Sequence, residues 1–292
     1  HEVASQTQHV LNAGGDGSQV TVTINNGTFV GPKGTASDSG AAINVKNNAS
    51  VTINGGDFSN GKNATLGVSG TMIVKGGTFD QVVNALYLAD GYVCQMNAYN
   101  KYEVFFAVAQ IGETYYATLQ EALDAAAAGT GNVTVEILRN IDLTGIDWNP
   151  VTVSDPGYPS VTVNGNDYTI TGLNDMLFAG TWAGNSGLII NDLTIANSTI
   201  VNDENDANGN IGVGAFIGFP QASATITLNN CHLVNSTVKG GHWTGGLIGY
   251  AAGYAGTDGP VFMELTITGC SVTGSTITGK GSVGGIIGHG SC

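Results

Sequence analysis

Positive charge is what this sequence has least of. Among 292 residues there are 8 lysines and arginines against 22 aspartates and glutamates, which gives a formal net charge of −14. Arg139 is the single arginine. Binding to nucleic acid needs clustered Lys and Arg that neutralise phosphates, so we expect no nucleic-acid partner. An anionic membrane surface is disfavoured for the same reason.

Proline, tryptophan and long apolar runs are also scarce. The chain has 6 prolines and 3 tryptophans, and no apolar run approaches the roughly 20 residues that a membrane-spanning helix needs. We therefore expect no membrane insertion in this segment. The chain starts at His1, without the basic-then-apolar pattern of a signal peptide, and stops at Cys292, just after a repeated phrase. These two features predict a truncated segment of a longer protein.

Glycine, by contrast, is abundant and accompanies many Thr, Asn, Val and Ile residues. The 45 glycines are typical of many short strands joined by tight turns, because Gly and Asn accept the positive φ that other residues resist. The composition therefore indicates an all-β protein.

A repeated phrase organises the second half of the chain. It reads V-G-A-F-I-G-F at 213–219, T-G-G-L-I-G-Y at 244–250 and V-G-G-I-I-G-H at 283–289. Aligning Cys231 with Cys270, and Tyr250 with His289, gives one offset of 39 residues. Such a period is typical of stacked repeats that cannot bury their apolar faces alone. We expect three strands in each of these repeats.

A different repeat occupies the first 90 residues. Its copies are V-T-I-N-N-G-T-F at 22–29, V-T-I-N-G-G-D-F at 51–58 and M-I-V-K-G-G-T-F at 72–79. Apolar residues alternate within each copy, as in a strand with one buried face, and then a turn and a Phe follow. This pattern predicts coils of a right-handed parallel β-helix with stacked Phe residues inside.

Residues 91–130 lack both repeats. Their first part predicts a hairpin around 97–100, and residues 118–129 predict a short helix with a capping box formed by Thr118 and Glu121. We expect this helix to cap the open strand edges that follow. The predicted organisation is an N-terminal β-helix module at 1–90, a hairpin and capping-helix linker at 91–130, and a C-terminal β-helix module at 131–292.

The phrases G-G-L-I-G at 245–249 and G-G-I-I-G at 284–288 resemble the GLUG motif of repeats in large bacterial surface proteins. Residues 108–125 also resemble a recurring module of β-helical surface proteins from Gram-positive, gut-type bacteria. The resemblance implies an exported, extracellular β-helical protein of the cell wall or surface, often described as an adhesin. It carries over no catalytic residue, because the motif is structural. Ala215 departs from the motif, since it replaces the second Gly.

These observations favour a structural and adhesive segment of a surface protein, without catalysis, whose partner is a host or bacterial surface glycan or protein. A polysaccharide-binding module is the alternative. A pectin-active enzyme is a third hypothesis, because β-helices often host such enzymes and His289 lies in Gly-His-Gly. However, His289 aligns with Tyr250 and Phe219, and the carboxylate pair of an inverting glycoside hydrolase is not evident in the sequence.

Aromatic residues in or beside predicted turns are candidates for ligand binding. Trp182, Trp243 and Tyr254 have this placement, and a ring beside Asn and Asp can stack on a sugar. A packed loop anchor is the alternative interpretation of each.

Two further groups could hold a metal ion or a disulfide. Asp203, Asp206 and Asn208 lie in an oxygen-rich loop suited to Ca²⁺, although the final bidentate Glu is missing and a solvated acidic loop is the alternative. Cys231 and Cys270 share one repeat position, within the Cα separation that a disulfide accepts. An inward thiol column is the favoured alternative, because Leu193 fills the same position one repeat earlier.

Overall fold

The computed structural model describes residues 2–4, 9–15, 17, 19–31, 40–59, 66–153, 160–181, 187–202, 212–220, 224–252, 254–256, 259–261 and 263–291. The chain forms two compact units, unit 1 (His1–Ala107) and unit 2 (Val108–Cys292), each with its own apolar core. Residues 91–130, expected to be a linker, are therefore divided between the two units. Within the described residues, no helix is long and apolar enough to cross a membrane.

Unit 1 is made of short strands and one 3₁₀ turn at Ala85–Tyr87. The strands are β1 (Glu2–Ala4), β2 (Leu11–Ala13), β3 (Val20–Ile24), β4 (Thr28–Val30), β5 (Ile43–Val45), β6 (Ala49–Ile53), β7 (Asp57–Ser59), β8 (Leu66–Val68), β9 (Thr71–Val74), β10 (Gly77–Phe79), β11 (Tyr92–Met96) and β12 (Tyr102–Phe106). They form three sheets, ordered β2–β5–β8, β3–β6–β9 and β1–β4–β7–β10–β12–β11.

Strands at the same place in successive repeats of unit 1 pair in parallel. Val51 and Ile53 on β6 are fully buried, since alternate side chains of a strand face opposite sides. The predicted hairpin is present as β11 and β12, and β12 pairs antiparallel to β10. The hairpin is therefore part of the main sheet of unit 1.

The described residues of unit 2 include one helix, α1 (Leu119–Ala127). Its strands are β13 (Ala109–Ile111), β14 (Thr114–Tyr116), β15 (Val133–Ile137), β16 (Ile141–Asp142), β17 (Val151–Val153), β18 (Ser160–Asn164), β19 (Thr169–Thr171), β20 (Phe178–Thr181), β21 (Gly187–Asn191), β22 (Thr194–Ala196), β23 (Thr199–Asn202), β24 (Gly212–Val213), β25 (Ile217–Pro220), β26 (Thr225–Asn229), β27 (His232–Val234), β28 (Thr237–Gly240), β29 (Trp243–Gly245), β30 (Ile248–Ala252), β31 (Tyr254–Gly256), β32 (Gly259–Val261), β33 (Glu264–Thr268), β34 (Ser271–Thr273), β35 (Thr276–Thr278), β36 (Ser282–Gly284) and β37 (Ile287–Ser291).

These strands form successive layers, and equivalent strands pair in parallel from layer to layer. Three of the sheets include β15–β18–β21–β26–β33, β16–β19–β22–β27–β34 and β17–β20–β25–β30–β37. The last three layers add the sheets β23–β28–β35 and β24–β29–β36. Leu228 pairs with Ile267, and Tyr250 with His289. This register confirms the offset of 39 residues.

The expectation of three strands in each late repeat is wrong, because β26 to β30 are five strands. Residues 232–238 divide at Asn235, whose φ of 49° turns the chain and separates β27 from β28. Strand β29, which carries Trp243, is too short to show an alternation of apolar and polar residues. The turn at Asn235 therefore explains why β27 and β28 were predicted as one strand, and the shortness of β29 explains why this strand was not predicted.

The core of unit 2 is a set of apolar columns that run through the layers. Val163, Ile190 and Leu228 succeed one another in register, and each is fully buried. Burying such a side chain contributes about 1.5–3 kcal/mol relative to leaving it exposed. The columns therefore account for much of the stability of the stack.

Helix α1 packs on β13, β14, β15 and β17 at the first layer. Leu119 and Leu123 on its buried face join the core of unit 2, and their spacing is that of one face of an amphipathic helix. The Thr118 Oγ1 accepts the Glu121 backbone N–H at 3.3 Å, and the Thr118 hydroxyl also lies 2.8 Å from the Glu121 carboxylate. In a capping box the Glu121 carboxylate would accept a hydrogen bond from the Thr118 backbone N–H. Here this carboxylate contacts the Thr118 hydroxyl, so this half of the cap differs from the prediction.

Candidate functional site

Three rings stand one above another in the last three layers of unit 2. Phe219, Tyr250 and His289 lie on β25, β30 and β37, each two residues after the isoleucine that leads its strand. The ring centroids of Phe219 and Tyr250 are 4.5 Å apart with 7° between the planes, and those of Tyr250 and His289 are 5.4 Å apart with 9°. The structure thus confirms that His289 is the counterpart of Tyr250.

Trp243, on β29, lies against all three stacked rings. Its centroid is 6.2 Å from that of Phe219, 4.4 Å from that of Tyr250 and 5.5 Å from that of His289, with tilts of 32°, 39° and 32°. Within its own sheet, Trp243 pairs with Gly212 in one neighbouring layer and Ser282 in the other. These small residues leave room for an indole that reaches three layers.

His242 completes the cluster by meeting the Trp243 ring edge-on, with the centroids 5.1 Å apart and 77° between the planes. We call these five residues the aromatic face: Phe219, His242, Trp243, Tyr250 and His289. His242 is exposed, and the other four are half-buried. Within the described part of the chain, the Trp243 indole N–H, the Tyr250 hydroxyl and the His289 ring nitrogens have no hydrogen-bond partner. These groups are the hydrogen-bond donors and acceptors that the aromatic face contains.

Glycines of the repeated phrase allow the strands that carry these rings to come together. A Cβ atom added to Gly245 would lie 2.0 Å from the Ile248 carbonyl oxygen, so no larger residue fits at this position. In the first copy of the phrase, Ala215 stands where the second copy has its second glycine, Gly246. Its N–H still donates to the Gly246 carbonyl at 3.1 Å, and the layers therefore remain paired there.

A column of serines was missed in the sequence analysis. The Ser198 N–H donates to the Ser236 Oγ at 3.1 Å, and the Ser236 N–H donates to the Ser275 Oγ at 3.0 Å. Each hydroxyl in turn donates to the carbonyl two residues before it, at 2.8–3.1 Å. The repeat offset was the available signal, since the three serines recur at equivalent positions.

Asparagine side chains form a second ladder between layers. The Asn191 Nδ2 donates to the Asn164 Oδ1 at 3.0 Å, and the Asn229 Nδ2 donates to the Asn191 Oδ1 at 2.9 Å. Asn164 donates in turn to the Glu136 carboxylate at 2.7 Å. These polar groups hold adjacent layers together.

Cys231 and Cys270 are both free thiols. The Cys231 N–H donates to the Cys270 Sγ at 3.3 Å, and the Cys231 Sγ lies 3.4 Å from the Asn229 carbonyl oxygen. Paired strands are about 4.8 Å apart, so equivalent side chains that point the same way keep their sulfurs beyond the roughly 2 Å of an S–S bond. The structure therefore has the thiol column and not the disulfide.

Burial, and after it the neighbouring Cys270, raise the pKa of the Cys231 thiol to about 12. A thiol with such a pKa stays neutral at physiological pH, and only the thiolate is a strong nucleophile or metal ligand. Cys231 is therefore an inert part of the core.

Most of the other predicted site residues fall outside the described part of the chain, namely Trp182, Asp203, Asp206 and Asn208. The backbone of Tyr254 is in β31, which pairs antiparallel to β32, and its side chain is also outside the description. Among the residues that are described, no three His, Cys, Asp or Glu side chains are placed to hold a metal ion. The Ca²⁺ loop remains a prediction.

Unit 1 has a polar cleft of about 470 Å³. It is lined by Gly15, Asn44, Lys46, Asn47, Asn48 and Ser69. The Asn44 Nδ2 donates to the Asn12 Oδ1 at 2.8 Å, and the Ser69 Oγ donates to the Val45 carbonyl at 3.2 Å. The cleft thus combines amides with one ammonium group, and no ring lines it.

No family model, curated protein or solved structure matches the chain. The function is therefore inferred from the geometry of the described residues.

Proposed function

We propose that both units are right-handed parallel β-helices, and that the chain is a structural and adhesive segment of an exported protein of the bacterial cell wall or surface. The observation that carries this proposal is the parallel, in-register pairing of equivalent strands through the layers of unit 2. Repeats stacked in this way form an elongated scaffold whose stability comes from contacts between neighbours. A surface protein can use such a scaffold to present loops and side chains at fixed spacing.

Within this proposal the chain performs no catalysis, and its partner is a glycan or a protein on a host or bacterial surface. His289 supports the assignment, because its ring stacks on Tyr250 with 9° between the planes, as Tyr250 stacks on Phe219 in the preceding layer. The ring occupies a packing position that aromatic side chains fill in each of these layers. A pectin-active enzyme would instead need His289 beside groups that transfer protons.

Retention of protein-coated beads on cells tests the adhesive role. Beads that carry the purified chain should remain on washed bacterial cells or on epithelial monolayers several-fold more than beads that carry albumin or the heat-unfolded chain. Equal retention of all three coatings on both surfaces would contradict adhesion.

An assay for reducing ends released from pectic substrates tests the absence of catalysis. We expect no release. If the chain released sugars, and His289→Ala abolished the release while the fold was retained, the enzymatic hypothesis would replace this proposal. A crystal structure would test the hand of the coils.

A further inference from the structure

We propose that the aromatic face binds a neutral glycan, with the indole of Trp243 as the stacking surface. This inference rests on the proposed adhesive function and supplies its ligand class. The face of an aromatic ring carries partial negative charge, and the C–H groups on the face of a sugar ring carry partial positive charge. The two surfaces are therefore complementary in both polarity and shape.

Trp243 is the member of the aromatic face whose ring is placed to receive a sugar. The two faces of the Tyr250 ring are covered by Phe219 at 4.5 Å and His289 at 5.4 Å, so this column offers mainly ring edges to solvent. Trp243 lies across the column and is half-buried. Its partners in the neighbouring layers are Gly212 and Ser282, which are too small to cover the indole.

Trp148 shows what a tryptophan anchored in the core of this unit looks like. Trp148 is 6% exposed, and its indole N–H donates to the Leu177 carbonyl at 3.3 Å. Trp243, in contrast, remains partly exposed and its N–H has no partner among the described residues. Because buried Trp N–H groups usually find a partner and no described residue supplies one to Trp243, we assign a ligand oxygen to this N–H.

The polar atoms around the indole suit the hydroxyl groups of a sugar. The rings of Tyr250 and His289, which carry a hydroxyl and two ring nitrogens, have centroids 4.4 and 5.5 Å from that of Trp243, and the exposed His242 meets the indole at 77°. Each of these groups can donate or accept a hydrogen bond. A ligand site commonly combines an apolar surface with a few polar groups that fix orientation, and the aromatic face has this composition.

Charge favours a neutral glycan over an acidic one. None of the five residues of the aromatic face is Asp, Glu, Lys or Arg, so these five side chains supply no fixed cation of their own to pair with a uronate. The whole chain has a formal charge of −14, and a field of this sign repels anionic ligands at low ionic strength. We therefore expect uncharged oligosaccharides to bind and polygalacturonate fragments to bind weakly or not at all.

Titration of the full chain with cellohexaose, xylohexaose, mannohexaose and hexagalacturonate, followed by calorimetry, tests this inference. At least one neutral hexasaccharide should bind, and Trp243→Ala should weaken that binding at least about tenfold, as expected for an aromatic residue that dominates an interface. The matched control is Tyr99→Ala, because Tyr99 is an aromatic residue with 85% exposure on the hairpin of unit 1. It should leave the affinity within about twofold.

Circular dichroism identifies any variant that fails to fold. If Trp243→Ala is one of them, His242→Ala decides, since His242 is exposed and its loss should weaken binding several-fold while the fold is kept. Absence of binding by all three neutral sugars overturns the inference, and so does unchanged affinity in the folded variants. If bead retention persists in that case, the adhesive proposal stands and only the glycan site is lost.

Discussion

Two aromatic columns, one in each unit, have similar geometry and different surroundings. In unit 1, Phe29, Phe58 and Phe79 stack at 4.9 Å with 9° and 10° between successive planes. In unit 2, the column centred on Tyr250 stacks at 4.5 and 5.4 Å with 7° and 9°. Phe58 and Phe79 are fully buried and Phe29 is half-buried, whereas each ring of the second column is half-buried.

The formation of a column and the types of ring within it have different causes. Strands paired in register are about 4.8 Å apart, so a ring repeated at one position must stack on its neighbour in either unit. Burial then selects the ring type. A buried polar atom without a partner is costly, which explains why the two fully buried positions hold Phe58 and Phe79, whereas the half-buried column accepts Tyr250 and His289.

The largest expected effect comes from removing a ring of the buried column. Phe58→Ala should lower the free energy of unfolding of unit 1 by about 3–5 kcal/mol, because it leaves a cavity in a packed core. Urea unfolding can be followed for each unit separately, since the tryptophans (Trp148, Trp182 and Trp243) all lie in unit 2. The circular dichroism transition should move to lower urea while the tryptophan transition stays unchanged.

The matched control for this experiment is Leu86→Ala, because Leu86 is 86% exposed in unit 1. It should change stability by less than about 0.5 kcal/mol. A loss below about 1 kcal/mol for Phe58→Ala would show that the first column is not a packed core.

A buried polar column in unit 2 should show the next largest effect. Ser236→Ala removes the acceptor of the Ser198 N–H and the donor to the Val234 carbonyl, and Ser236 is 4% exposed. Leaving a buried N–H unsatisfied costs about 1–3 kcal/mol, which tryptophan-detected unfolding would measure. The exposed Ser282 supplies the control, and similar losses for Ser236→Ala and Ser282→Ala would argue against the ladder.

Removal of the central ring of the half-buried column should cost less than Phe58→Ala. Tyr250→Ala breaks stacks with Phe219 and His289, and aromatic pairs contribute about 0.5–1.5 kcal/mol each, so we expect a loss of about 1–2 kcal/mol in unit 2. Tyr250→Phe keeps the ring and should be nearly neutral. Tryptophan fluorescence during urea unfolding measures both variants, and a loss equal to that of Phe58→Ala would remove the distinction between the columns.

The smallest effect concerns the pH dependence of the thiol column. Burial raises the folded-state pKa of Cys231 to about 12, above the unfolded value of about 8.5. The contribution of the neutral Cys231 thiol to the free energy of unfolding is therefore fully present below about pH 8.5 and is lost as the pH rises toward 12. Relative to Cys231→Val, the wild-type chain should become progressively less stable between pH 8 and pH 11. Parallel stability curves for the two proteins would contradict this prediction.

The sequence predicted the periodic part of the fold because periodicity is a local signal. The offset that aligns Tyr250 with His289 gave the observed register, and the Phe repeat placed Phe58 and Phe79 in a buried column. Strand number was harder to predict, because the turn at Asn235 and the short strand around Trp243 leave no alternation to detect.

Prediction of the candidate site was less complete for a related reason. Trp243 was recognised as a candidate from its residue type, but its contacts with Phe219, Tyr250 and His289 join two different sheets. Such contacts depend on how a turn folds one strand against the next. The glycine at 245, whose close approach to the Ile248 carbonyl allows this fold, was recognised only as part of a repeat.

The sequence by itself determined the repeats, their register and the residue types that stack, because pairing between equivalent strands follows from a constant offset. The tertiary structure decided that Cys231 and Cys270 remain free thiols, and that Trp243 spreads over three layers. These features depend on the separation and facing of strands from different sheets, which no single segment of the sequence specifies.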